Sequence, residues 1–396
     1  MKAAATMQHM QDNLQQLTDR VRAAAANKTP LRLRGGGSKD FYGQSLQGDV
    51  LDLRGYNGIL SYEPSELVIT VRSGTLLRDV QAALTEKGQC LAFEPPHFGP
   101  RATVGGMVAA GLAGPARANV GSVRDFVLGV KLLNGKGEHL TFGGQVMKNV
   151  AGYDVSRLMA GSLGSLGVIT EVSLKVLPIA AGEVTLACAG VSQQQAITLL
   201  NQWGGQPLPL NASAWVHDTT MQPAQDHLFV RLRGAHAAVE AAVPQMSQDV
   251  QSLGATVTRM ANEQAASDWH ASGEQTLPFF QQAPAPDACL WRLSVKPTTG
   301  MMQLFDTTLG DPYIEWHGAQ RWVWAPASAA DSLRYAAQVA GGHATLFRVS
   351  AAHGEADKAV GVFTALDAVQ QRIQRELKRQ FDPVGIFNPG RWYSDL

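Results

Sequence analysis

Three stretches of this chain are so poor in large side chains that they limit its possible folds more than any other feature. Arg34-Gly35-Gly36-Gly37-Ser38-Lys39 follows a short apolar alternation at 31–33, and residues 102–121 are almost all small. Gly161-Ser162-Leu163-Gly164-Ser165-Leu166-Gly167 then opens into the β-branched run that begins at Val168. Glycine has no Cβ and tolerates left-handed φ, so such segments are where backbone turns sharply or lies against something flat. In a strand-to-loop turn, successive amides can converge on an anion. The first stretch alone is equally compatible with a plain flexible turn. Three such stretches, each beside a strand, suggest loops closing on one large ligand.

Familiar phosphate loops do not account for them. The fingerprint G-x-G-x-x-G would need glycine at position 40, where Asp40 stands. G-x-x-x-x-G-K-[ST] fails as well, because Gly135-Lys136 is followed by Gly137 and Val130 occupies the first glycine's place. The 33 basic and 33 acidic residues balance, so no long-range field draws in nucleic acid or an anionic surface. Cys90, Cys188 and Cys289 are too dispersed for a zinc knuckle or an iron–sulfur cradle, and they fit a reducing compartment. No metal site is expected. No apolar run reaches the length of a membrane span, and a cytoplasmic protein is expected.

Periodicity predicts the surrounding elements. Met7, Met10, Leu14, Leu17 and Val21 form the stripe of an amphipathic helix, and 67–71 reads as a strand. Thr75 is expected to cap a helix carrying Leu76, Leu77, Val80 and Leu84. Residues 126–133 and 138–142 flank Asn134-Gly135, a hairpin signal. The texture becomes Ala- and Gln-rich after Pro178, which sets a boundary near 180. Beyond it, strands are expected near 227–233, 255–260, 290–296 and 344–349, with Pro244 starting or kinking a helix. The expected class is α+β. Three parts are expected, at 1–180, at 181–350 as a sheet layered with helices, and at 351–396 as a helix and tail.

Five segments resemble the FAD-binding domain of the vanillyl-alcohol oxidase / p-cresol methylhydroxylase superfamily. They are R-G-G-G-S-K at 34–39, A-T-V-G-G-M-V-A-A-G at 102–111, G-S-V-R-D-F-V-L-G-V at 121–130, G-S-L-G-S-L-G-V-I-T at 161–170 and F-D-P-V-G-I-F-N-P-G-R at 381–391. Within it, the chain is similar to the FAD-binding subunits of bacterial glycolate oxidases, on its short length and on G-G-H-A-T-L-F-R at 341–348. The resemblance implies FAD as cofactor, an FAD-binding domain of two α/β subdomains over 1–180, a second α+β domain of antiparallel sheet with helices over 181–350, and a C-terminal helix and tail at 351–396 returning to the first domain. Gly35, Gly36, Gly37 and Ser38, flanked by Arg34 and Lys39, would wrap the pyrophosphate from one side. Thr103, Gly105 and Gly106, with Gly99 nearby, would meet it from the other. Gly121 and Asp125 would lie at the flavin edge or the adenine side. Gly161 would precede Val168 and Ile169, whose backbone would bind adenine, and Asn388 and Arg391 would return to the flavin.

It also implies an FAD-dependent oxidoreductase acting on CH–OH donors, turning glycolate into glyoxylate by hydride transfer to flavin N5. Without iron–sulfur ligands of its own, the chain would pass electrons to a second flavoprotein subunit and an iron–sulfur subunit. Any association with the inner membrane would be made through that complex. The rival readings are a self-sufficient 2-hydroxy-acid or alcohol oxidase, and a non-catalytic FAD scaffold.

Two departures matter. Superfamily members that bind FAD covalently use a histidine after the first glycines, but 35–43 holds neither His nor Cys, so FAD is expected to be non-covalent. His97, in a Pro-Pro turn, stands near a later loop. Relatives that oxidise 2-hydroxy acids carry a histidine-rich metal motif in the second domain, and here His343 stands alone after Gly341-Gly342. Arg348 is a candidate fork for a carboxylate and His343 a candidate base. Five residues apart on a strand, they should point to opposite faces.

Overall fold

A computed structural model describes residues 2–144, 154–302, 304 and 307–395, with side chains from residue 12 onward. Met7 and Met10 of the predicted stripe lie outside the described side chains. The chain divides into two compact units, one of Met1–Leu112, Ser122–Pro178 and Ala365–Leu396, the other of Ala113–Gly121 and Ile179–Thr364. The composition change near 180 coincides with the passage from Pro178 to Ile179. The C-terminal return starts at Ala365 instead of 351, because the turn Gly354–Val360 is fixed in the second unit. There Asp357 accepts hydrogen bonds from the Ser350 hydroxyl (2.6 Å) and the Cys289 thiol (3.3 Å).

In the first unit, the strands Leu31–Arg34 and Asp49–Asp52 pair in parallel. A five-stranded antiparallel sheet runs in the order Ile59–Glu63, Val68–Arg72, Val168–Lys175, Val127–Leu133, His139–Gly143. The first helix, Lys2–Asn27, lays Leu17, Val21 and Ala24 against Leu31, Leu51 and Phe387. Each such fully buried aliphatic side chain contributes about 1.5–3 kcal/mol relative to exposure. Leu77, Val80 and Leu84 share the buried face of helix Leu77–Thr85, as their spacing predicts. Its N-cap is Leu76, without a side-chain bond. Thr75 instead donates to Arg72 O (2.7 Å) and accepts from Gly58 N, closing the preceding turn.

The segment 102–121 holds a helix that periodicity did not reveal. Val104–Ala110 is capped by the Thr103 hydroxyl and ended by Gly111 at φ +65°. Gly105 and Gly106 disfavour a helix, but burial of Val104, Met107 and Val108 outweighs that local preference. Residues 113–121 belong to the second unit. Trp316 Nε1 donates to Gly114 O (3.0 Å), and the Arg117 guanidinium lies 4.6 Å over the Trp316 ring. Asn119 Nδ2 donates to Asn211 O and to His317 Nε2. The His317 proton therefore sits on Nδ1, which donates to Ser213 Oγ (2.8 Å). Burial pushes the His317 imidazole down to about 4.

The second unit is an eight-stranded antiparallel sheet. Its order is Thr256–Arg259, Gly182–Ala189, Gln225–Gly234, Leu210–Asp218, Tyr313–Glu315, Gln320–Pro326, Ala288–Ser294, His343–Arg348. Helices Gln193–Gly204 and His236–Gln251, the latter with Pro244 inside it, bury Leu200, Trp203, Met246 and Val250 against one face of the first half. Helix Ala330–Val339 covers Trp291, Leu293 and Leu346 of the other half. Among the described residues, no helix is long and apolar enough to cross a membrane.

Candidate cofactor site

The first loop owes its glycines to a chain crossing. A Cβ added at Gly36 would lie 1.5 Å from Arg101 O, and one at Gly35 would lie 2.2 Å from Thr103 Oγ1. Loop one thus lies against the Arg101 backbone at Gly36 and against the Thr103 side chain at Gly35. Gly37 adopts φ +74°, and a Cβ there would strike the Arg34 guanidinium at 2.5 Å. The amides of Gly35, Gly36, Gly37 and Ser38 donate to no carbonyl among the described residues, although Gly36 is buried. Buried amides are otherwise nearly always paired, so an inward row of open donors is a ready anion cradle.

A small cavity of about 90 Å³ lies on these amides. Residues 33–40, Thr103, Gly106, Ala109, Ala110, Leu163, Asn388 and Arg391 line it, so all three small-residue segments and the C-terminal tail meet there. Arg34 borders the cavity with its side chain engaged, Nε donating to Asp40 Oδ2 at 2.9 Å beside Arg32 Nη2 at 2.6 Å. Lys39 Nζ donates to His97 O (3.1 Å) and lies 5.6 Å over the Phe98 ring. His97 itself is held through Nε2 by Gln81 Oε1 (2.7 Å).

The other expected contacts are not part of this lining. Gly99 packs beside Ser38, and the Gly105 amide is taken by Ser73 O. The Gly161 amide donates to Val108 O, which ties the third loop to the 104–110 helix. Val168 and Ile169 are buried in the central strand, just beyond the point where pairing with Val68–Arg72 stops at Arg72–Glu171. Gly121 ends the short helix Arg117–Val120 and falls in the second unit. Asp125 closes a capping box with Ser122. Burial opposes its ionisation, but the Ser122 bonds prevail and hold its carboxyl below the ordinary range.

Sequence reasoning missed Ala109, Ala110 and Leu163, which carry no polar signal, and Asp40, which was read only as a failed glycine. Arg391, expected near the flavin, is only 4% exposed, and its guanidinium donates to the carbonyls of Lys39, Asp40 (2.8 Å), Tyr42 and Gln44. Asn388, at φ +40°, accepts from Leu33 N (2.8 Å) and donates to Leu163 O (2.6 Å).

In the second unit the expected alternation along His343–Arg348 does not hold. The register with Ala288–Ser294 slips between Leu290 and Trp291, so Arg348 pairs with Leu290 while Leu346 pairs with Trp291. That bulge cancels the alternation. Arg348 and Arg292 both set their guanidiniums over the Phe347 ring, at 5.6 and 5.5 Å, and Arg348 also donates to Gln275 Oε1 (3.0 Å). Burial pulls Arg348 down to about 10. His343 is lowered by burial and by the nearby charge of Arg292, which sequence reasoning did not single out. A larger cavity of about 430 Å³ in this unit is lined by Trp269, Phe279, Tyr313 and Trp324 together with Asp218, Asp268 and Asp311. Neither Lys nor Arg lines it, and its His217 is paired with Asp226 (2.7 Å), so the lining offers a carboxylate no open cation.

Comparison with known proteins follows the same lines. Residues 11–143 match the FAD binding domain family. The fold is that of p-cresol methylhydroxylase with substrate bound, at TM-score 0.70 and 13% identity over 96% of this chain and 87% of that one. Alkyldihydroxyacetonephosphate synthase gives 0.66 at 15% identity over 94% and 74%. D-lactate dehydrogenase of Archaeoglobus fulgidus is 24% identical over 96% of this chain and 89% of that protein. Glycolate oxidase subunit GlcE of Escherichia coli (strain K12) is 43% identical over 97% of this chain and 99% of its own length. FAD is therefore the cofactor, and the open amides of Gly36 and its neighbours suit its pyrophosphate. With nearly end-to-end similarity on a p-cresol methylhydroxylase-type fold, the chain belongs to the GlcE family of FAD-linked glycolate oxidase subunits.

Proposed function

We propose that the chain is the FAD-binding subunit of a glycolate-oxidising complex, converting glycolate to glyoxylate and passing the electrons to a second flavoprotein subunit and an iron–sulfur subunit. The near full-length similarity to GlcE carries this reading. Bound FAD supplies the acceptor for the hydride from C2 and the route for the electrons. The chain's own part is to hold it. Gly35 to Ser38 offer amides to the pyrophosphate, and Thr103 and Gly106 close the opposite side. With neither His nor Cys at 35–43, this loop holds FAD non-covalently. In the second unit, Arg348 and Arg292 are our candidates for fixing the substrate carboxylate, and His343 for holding a proton. Among the described residues, no group of three His, Cys, Asp or Glu side chains is placed to hold a metal ion.

The test uses the purified chain loaded with FAD and mixed anaerobically with glycolate and a dye acceptor. Little flavin bleaching alone, with turnover restored by the partner subunits, is expected. Rapid bleaching and sustained turnover by the chain alone would replace this reading with a self-sufficient oxidase. Flavin that stays unreduced in the assembled complex would leave a scaffold role.

A further inference from the structure

We infer that the C-terminal segment 382–391 is the clasp that sets the FAD loop, and that Arg391 is a positioning residue acting through that loop. The inference rests on placing the FAD pyrophosphate at the amides of Gly35 to Ser38.

Loop one has two sides. Its residues 35–38 line the cavity and their amides donate to no carbonyl among the described residues, while its carbonyls at 39, 40, 42 and 44 all accept from Arg391. One planar guanidinium, with donors in a fixed fork, collects carbonyls from a stretch of six residues. The Gln44 amide returns a bond to Arg391 O (2.9 Å), so the tail and the loop are locked in both directions. Gathering these carbonyls fixes the peptide planes that follow the cradle, and the Asp40 amide, in the plane of the held Lys39 carbonyl, donates to Gly37 O (3.2 Å), which ties that order back to the Gly37–Ser38 peptide. The buried positive charge beside the cradle adds a favourable field for a pyrophosphate.

Asn388 extends the clasp to the third loop. Its side chain bridges Leu33 N and Leu163 O, the entrance of loop one and the middle of the 161–167 turn. A Cβ at Gly164 would lie 2.7 Å from Asn388 Nδ2, which makes glycine there a condition of the bridge. The tail in turn is held to its own helix. Lys378 Nζ donates to Phe387 O and to Ser165 O, each at 2.7 Å, and Asp382 accepts from the amides of Gly385, Ile386 and Phe387. The strand-like contact of Leu31 with Phe387 completes the attachment. The side-chain amide of Asn388 and both terminal nitrogens of the Arg391 guanidinium are thus committed to backbone, which is the work of a support.

The experiment compares the full chain with Arg391→Met and Arg391→Lys, reading FAD affinity by flavin fluorescence and amide exchange at 35–44 in both FAD-free and FAD-loaded protein. Arg391→Met should weaken FAD binding at least tenfold and speed exchange at 35–44 even without FAD, with exchange in 182–349 unchanged. Arg391→Lys keeps the charge but cannot reach four carbonyls, and should fall between the two. If FAD-free exchange at 35–44 is unchanged while affinity drops, Arg391 touches the cofactor directly and the clasp is overturned. A lysine variant that binds like the parent overturns it too, since charge alone would suffice. Should Arg391→Met fail to fold, Arg391→Lys and Asn388→Ala carry the same readouts. A parent chain that binds FAD with no added protection at 35–38 overturns both the clasp and the placement of the pyrophosphate.

Discussion

The cradle of the first unit and the arginine cluster of the second are built from different material. At Gly35 to Ser38 the groups left open are main-chain amides, and the side chains nearby, Arg34, Lys39, Asn388 and Arg391, are engaged with protein. Around Phe347 the backbone is consumed by strand pairing, and what remains to act are the side chains of Arg292, Arg348 and His343. A site made of backbone can be damaged at any residue that shapes the chain path. A site made of side chains is damaged only at those residues. Substitutions in the two regions should therefore fail differently.

The largest effect is expected at Gly36→Val. Its branched carbons meet Arg101 O, a backbone atom that cannot step aside, so the two loops must part. Charge-assisted hydrogen bonds are worth about 1.5–3 kcal/mol each, and losing two weakens FAD binding by roughly a hundredfold or more. A variant binding within threefold of the parent would erase the distinction between the regions.

The second unit should instead reveal itself through pH. The folded His317 imidazole titrates near 4, below the ordinary 6.5, so the unfolded chain takes up the proton first. Stability is then full above about 6.5 and falls as pH drops toward 4, by about 2–3 kcal/mol near pH 4.5. Protonation would also set an N–H against the Asn119 amide group. All eight tryptophans except Trp392 belong to the second unit, so urea unfolding followed by their fluorescence reads that unit. His317→Gln should remove most of the slope, and an unaltered slope would exclude this histidine as its source.

A smaller change is expected from Arg348→Met, which leaves FAD affinity alone and raises the glycolate KM of the assembled complex about tenfold, the loss of one charge-assisted pair. Equal KM values would remove Arg348 from the substrate side. Smallest is Thr103→Val, which deletes the cap of helix Val104–Ala110 and should cost about 1 kcal/mol, seen as a lower unfolding midpoint with FAD still bound.

The sequence by itself determined the α+β class, the presence of three small-residue segments beside strands, and the stripe of Leu77, Val80 and Leu84. These are legible because glycine and apolar periodicity record local backbone demands directly. It could not determine that Gly36 is glycine on account of Arg101 O, that 104–110 is helical, or that 113–121 leaves for the second unit. Nor could it show that a one-residue bulge turns Arg348 onto Phe347, or that Arg391 grips four carbonyls more than 340 positions away in the chain. Each of those depends on which distant segment comes to lie alongside, and close packing settles that only once the whole chain has folded.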